Sequence, residues 1–304
     1  MPKVKANGIE IEYDTIGNRA SPALLLIMGL GGQLIHWDQD FCRQLADKGL
    51  FIIRYDNRDT GLSTKFEAAG LPDMSETIHA LMQGQAIETP YSVNDMADDA
   101  AGLLDALDIK RAHICGCSMG GMIAQSLAIR HPQRVLSLIS IYSTTGNPAL
   151  PPPQAEGMEA LMTPPPTERQ AYIEYNVKTM KALAGSGFVF DEQFIRSISA
   201  RAYDRAFYPQ GVGRQMIAVM AQENRKAALA SVAVPTLVIH GTVDPLLPPE
   251  HGRDTADAIP GAKLVPIEGM GHDLPDTKGP WPQIIDAIAD HTKGAGAAAN
   301  KLDP

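Results

Sequence analysis

The chain has 304 residues, 44% of them apolar and 20% charged, with a formal net charge of −9. That balance suits a globular protein and argues against nucleic acid as a partner, because counterion displacement needs a basic face. Three cysteines, Cys42, Cys115 and Cys117, form an odd set without metal-ligand spacing and read as reduced thiols. No apolar signal core precedes the first strand pattern, and apolar runs such as 24–28 are too short to span a bilayer. The expectation is a cytoplasmic protein with no membrane partner.

In chain order, Ile9-Glu10-Ile11-Glu12-Tyr13 alternates with period two, as a strand does. Buried strands are predicted over 23–28, 50–55, 112–115, 135–142, 236–240 and 263–266. Between them lie helices. Ser92 can cap one whose apolar positions are Met96, Ala100, Leu103, Leu104 and Leu107, a stripe of period 3.6. Another spans 121–130 and stops at the His131-Pro132 break. Strands alternating with helices imply an α/β fold with a mostly parallel sheet.

Residues 145–224 break this rhythm. The stretch opens on proline clusters (Pro148, Pro151 to Pro153, Pro164 to Pro166) and continues as helical segments. Thr167-Glu168-Arg169-Gln170 has the form of a capping box, and Asp191 that of a second N-cap. This reads as a helical cap inserted into a core made of residues 1–144 and 225–293. The Gly/Ala-rich residues 294–304 read as a loosely held tail.

The sharpest chemical signal is Gly116-Cys117-Ser118-Met119-Gly120, with a buried strand before it and a helix pattern after it. A strand-to-helix turn this tight needs glycine on both sides and exposes the serine hydroxyl at the sheet edge. A hydroxyl becomes a nucleophile only when a base removes its proton. His272 is the base of choice, in the Gly-flanked loop Gly269-Met270-Gly271-His272-Asp273 after the last strand. His113 and His240 lie in strands and read as packing residues. The acid that orients the base is Asp244, in the turn after strand 236–240, since 135–153 contains no Asp or Glu. Asp273 is the second candidate. An oxyanion pocket needs two N–H donors. Those expected are the backbones of Met119, next to the serine, and Leu30, in the loop Met28-Gly29-Leu30-Gly31-Gly32.

These motifs resemble the α/β-hydrolase superfamily of capped serine esterases. The segment Arg54-Tyr55-Asp56-Asn57-Arg58-Asp59-Thr60-Gly61-Leu62-Ser63, together with Met28-Gly29 where many relatives have His-Gly, is similar to the aclacinomycin methylesterase branch. The resemblance covers about residues 8–143 and 225–293. It implies an eight-stranded sheet, a triad that uses no cofactor or metal, and a cap that shapes the pocket for a small-molecule ester. The residues from Asp56 to Ser63 themselves read as a loop-ordering ion-pair network. The reaction expected is ester hydrolysis through an acyl-enzyme. Lactonase, C–C hydrolase, perhydrolase and peptidase chemistry stay open, as does a ligand receptor without turnover. In the cap, Met162 and Phe207 are candidate substrate contacts.

Overall fold

Short runs such as Ala-Leu-Leu-Leu-Ile are apolar at every position, so as strands they must be covered on both faces. A computed structural model of the protein describes residues 2–70, 73–274 and 279–299 and shows that arrangement. The strands are β1 (Lys3–Ala6), β2 (Ile9–Ile16), β3 (Ala23–Ile27), β4 (Phe51–Tyr55), β5 (Ala112–Cys117), β6 (Val135–Ile141), β7 (Thr236–Gly241) and β8 (Lys263–Ile267). They form one eight-stranded sheet in the order β1-β2-β4-β3-β5-β6-β7-β8. β1, β2 and β4 pair antiparallel, and every pairing from β4 through β3 to β8 is parallel. The expected fold is present. Sequence analysis missed β1, a four-residue strand that buries only Ala6. The Asn7-Gly8 pair, at φ 48° and 78°, closes it onto β2 as a two-residue hairpin turn requires.

The described helices are α1 (Gln39–Asp47), α2 (Met74–Met82), α3 (Val93–Ala106), α4 (Met119–Arg130), α5 (Ala155–Met162), α6 (Arg169–Leu183), α7 (Glu192–Ala206), α8 (Pro209–Met220), α9 (Lys226–Leu229), α10 (Glu250–Ala258) and α11 (Trp281–Ala299). Side chains of one strand feed two cores. Leu25 and Ile27 pack with α3 and α4 on one face, whereas Leu24 and Leu26 pack with α1 and α11 on the other. Cys42, Cys115 and Cys117 are all buried in this second core. Among the described residues no helix is long and apolar enough to cross a membrane.

Helices α5 to α8 follow β6 before the chain returns to β7. Asp191 caps α7 by accepting the Phe194 N–H at 2.9 Å. The box predicted from Thr167 is corrected: Glu168 is the N-cap of α6, accepting the N–H groups of Gln170 and Ala171 at 2.9 and 2.7 Å. Its longer carboxylate reaches both donors from one position further along. Helix α11 continues to Ala299, past Gly294, and residues 300–304 of the expected tail lie outside the described residues.

Candidate active site

Strand order reverses beside β3: β4 lies on one side and β5 on the other. Loops leaving the two strands at their carboxyl ends therefore diverge and leave a crevice. Ser118 stands there, between β5 and α4, at φ 54° and ψ −123°. A non-glycine residue at positive φ is strained, and such strain persists only where the surroundings over-determine it. They do so here. The Ser118 N–H donates to Ile141 at 3.0 Å, and its carbonyl accepts from Gly121 N–H at 2.9 Å and Ser143 Oγ at 2.7 Å. A Cβ at position 116 would lie 2.0 Å from the Gly120 oxygen, and one at position 120 would lie 2.1 Å from the Ile27 oxygen. No side chain fits at either glycine.

His272 and Asp244 reach this serine from loops after β8 and β7. His272 Nε2 lies 2.9 Å from Ser118 Oγ, and its Nδ1 lies 2.8 Å from Asp244 Oδ2. The other oxygen, Oδ1, accepts the N–H groups of Leu246 and Leu247 at 2.9 and 2.8 Å, so the turn itself orients the acid. Asp244 is fully buried. Burial would raise its pKa, but the His272 ring beside it and these donors hold the carboxyl below its usual range. Tyr142 packs against the His272 ring with centroids 4.7 Å apart. The structure thus brings together the three residues that the sequence pointed to.

The loop after β3 borders the same point. An ideal Cβ at Gly29 would be 3.7 Å from Ser118 Oγ. The turn 29–32 closes with Gly32 N–H on the Gly29 oxygen at 3.1 Å, with Gly31 at φ 67°. Among the described residues, the Leu30 and Met119 N–H groups donate to no other group of the chain. The loop after β4 carries the expected ion-pair network. Asp56 accepts the Leu34 and Leu62 N–H groups at 2.7 and 2.8 Å, and Arg58 pairs with Asp99 at 2.6 Å. Arg214 of α8 grips Asp59 with both arms at 2.8 and 2.9 Å.

Sequence reasoning missed the residues that fasten the helical insertion to these loops: Arg214, Gln215 and Gln33, whose amide donates to the Ala202 and Ala206 carbonyls. A further seam joins the end of α6 to the His272 loop. The His272 N–H donates to Leu183 at 2.8 Å, and a Cβ at position 185 would lie 2.0 Å from the Gly269 oxygen. Of the candidate substrate contacts, Phe207 stacks on Tyr203 at 4.6 Å and meets Tyr172 edge-on at 5.2 Å, and Met162 ends α5, partly buried. His113 packs as expected, bonding Ser137 at 2.8 Å, and burial lowers its pKa to about 4. His240 departs from that description. Its Nε2 donates to Leu247 at 2.7 Å and lies 3.5 Å from Asp244 Oδ2, while its buried Nδ1 has no partner among the described residues. Among the described residues no group of three or more His, Cys, Asp or Glu is placed to hold a metal ion.

Asp273, the other acid considered, is buried with Oδ1 unpartnered among the described residues. Burial pushes its pKa up to about 7, aided by the Asp244 charge and opposed by His272. The native state therefore keeps a proton up to about pH 7 that the unfolded chain releases near 3.8. Across that window the native state binds more protons, so stability falls as pH rises, by on the order of a few kcal/mol. Asp244 acts in the opposite sense: its contribution is present above the unfolded carboxyl range and is lost as pH falls below it. Asp273→Asn should raise the melting temperature over the unsubstituted chain at pH 8, with a gain that shrinks toward pH 4. A gain equal at both ends would show that Asp273 titrates as an ordinary carboxyl.

The alpha/beta hydrolase fold family matches residues 22–278. The chain is 32% identical over 300 residues to rhodomycin D methylesterase DauP from Streptomyces sp. (strain C5), covering 92% of this chain and 94% of that one. It is 26% identical to 3-oxoadipate enol-lactonase 2 of Acinetobacter baylyi, over 86% of each chain. Among solved structures, the enol-lactonase from Burkholderia xenovorans LB400 superposes with a TM-score of 0.69 at 22% identity, covering 97% of this chain and 100% of that one.

Proposed function

The chain belongs to the alpha/beta hydrolase fold family, and from that premise we propose that it hydrolyses small carboxylic esters through Ser118, His272 and Asp244. The observation that carries this reading is the unbroken hydrogen-bond chain from Asp244 through His272 to Ser118, ending on a strained, glycine-flanked turn. His272 Nε2 takes the Ser118 proton as Oγ attacks the ester carbonyl. The Met119 and Leu30 N–H groups receive the oxyanion that forms. His272 returns the proton to the departing alkoxide, leaving an acyl-serine and a free alcohol. The same ring then deprotonates a water, which attacks the acyl carbon, and passes that proton to Ser118 Oγ as the acyl–Oγ bond breaks and the acid leaves. Asp244 keeps Nδ1 protonated, so that Nε2 faces the serine as an acceptor, and offsets the charge of the imidazolium. No step requires a cofactor or metal.

The similarity to a methylesterase supports esters as the substrate class, and that to an enol-lactonase keeps cyclic esters within it. Residues 145–224 act in this reading as a cap over the pocket. Within the cap Met162 is a candidate acyl contact, whereas the contacts of Phe207 with two tyrosines, stacked on Tyr203 and edge-on to Tyr172, make packing its larger role. A fluorophosphonate should label the protein once, on Ser118, and Ser118→Ala should abolish both the label and turnover of p-nitrophenyl acetate and butyrate. Label on another residue would overturn the nucleophile. Labelling without turnover across a panel of esters and lactones would overturn the enzyme in favour of a ligand receptor.

A further inference from the structure

Gln215 lies on α8, in the insertion, yet its amide is spent on the core. The side chain is fully buried. Its Oε1 accepts the Gly31 N–H at 2.9 Å, and its Nε2 donates to the Arg58 carbonyl and to Thr60 Oγ1, both at 2.7 Å. Val212, three residues earlier and so on the same face of the helix, presses on the same glycine: a Cβ at position 31 would lie 3.0 Å from Val212 Cγ2. Gly31 occupies the third position of the turn 29–32, where φ of 67° is the geometry of a type II turn. The Gly31 N–H belongs to the central peptide of that turn, directly after the peptide that carries the Leu30 N–H, so the Gln215 bond and the Val212 contact together fix where the turn sits.

We propose that Gln215 is a positioning residue for the oxyanion pocket: its side-chain carbonyl pins the 29–32 turn at Gly31 and thereby fixes where the adjoining peptide, which carries the Leu30 N–H, sits beside Ser118. This rests on the reading of Leu30 as an oxyanion donor. Helix α8 is then part of the catalytic apparatus as well as of the cap. The helix has separate anchors, since Arg214 is paired with Asp59 and Gly211 sits against the Asp59 carbonyl. Removing the amide alone leaves the helix docked.

The test is Gln215→Met, similar in length but without an acceptor for the Gly31 N–H. With p-nitrophenyl butyrate, kcat should fall about 10- to 100-fold, short of the loss when an oxyanion donor is deleted outright, while KM moves less than about threefold. Binding of a trifluoromethyl ketone, whose serine adduct carries an oxyanion, should weaken by the same factor as kcat/KM. Binding of the matching ether, which cannot form the adduct, should not change. Should Gln215→Met fail to fold, Thr60→Val loosens the same amide from its far side and should cost kcat about three- to tenfold in the same pattern. A folded variant with kcat within twofold of the unsubstituted enzyme would overturn the proposal, as would ketone and ether binding weakened equally. Turnover persisting in Ser118→Ala would instead overturn the esterase reading beneath it, whatever Gln215 does.

Discussion

His272→Ala is expected to lower kcat for an activated ester by about 10⁶-fold, the scale for deleting the base from a triad that works as a unit. Its Nε2, at 2.9 Å from Ser118 Oγ, is the side-chain partner of that hydroxyl among the described residues. Without it the serine keeps its proton, and the departing alkoxide has no donor. The oxyanion donors and the pocket would remain, so substrate should still bind and a residual rate above water should persist. His113→Gln serves as the control, since His113 lies in β5 and bonds Ser137, away from the serine hydroxyl. The measurement is kcat with p-nitrophenyl butyrate, beside the second-order rate of fluorophosphonate labelling. A loss under a hundredfold would remove His272 from the role of base.

Asp244→Asn should lower kcat by about 10⁴-fold, and the structure explains why the isosteric amide is so poor a substitute. The Leu246 and Leu247 N–H groups both point at Oδ1, so the asparagine must place its oxygen there. Its NH2 group is then forced into the Oδ2 position, 2.8 Å from His272 Nδ1. Two donors cannot face each other, so Nδ1 must become the acceptor and the ring proton must move to Nε2. That proton now points at Ser118, and the base is occupied. A loss under tenfold would move the acid elsewhere, with Asp273 next in line. Against Asp273 stands its pKa of about 7, which leaves about half of it protonated at neutral pH, whereas Asp244 is held below the usual carboxyl range and keeps its charge to stabilise an imidazolium.

Ser118, Asp244 and His272 were legible because each sits in a turn just after a strand, where local residue types report local geometry. Detail at the elbow was less so. β5 runs two residues past Cys115, because Gly116 and Cys117 still pair with Ser140 and Ile141. Helix α4 begins at Met119 rather than at Gly121, since the strained serine itself is the N-cap. The ties between insertion and core were not legible at all. Gln215 and Gly31 are 184 residues apart, and an isolated glutamine on an amphipathic helix carries no mark of what it will meet. The same holds for Arg214, 155 residues from Asp59. His240 shows the limit differently: a histidine ending a buried strand looks like any packing residue until the Asp244 carboxylate folds back beside it.

All three sulfhydryls are buried, and burial pushes Cys42 up to about 12 and Cys117 up to about 11. Thiolate is the form that reacts with maleimides and iodoacetamides, so near neutral pH the native protein should be silent to both. A cysteine introduced on the exposed side of α7 or α2 would then be the single reactive handle on an otherwise unmodified chain. Spectroscopic probes could be attached there without first stripping Cys117 from beside Ser118. The distance between two such probes, one on each helix, would report in real time whether the insertion lifts from the core as an ester enters.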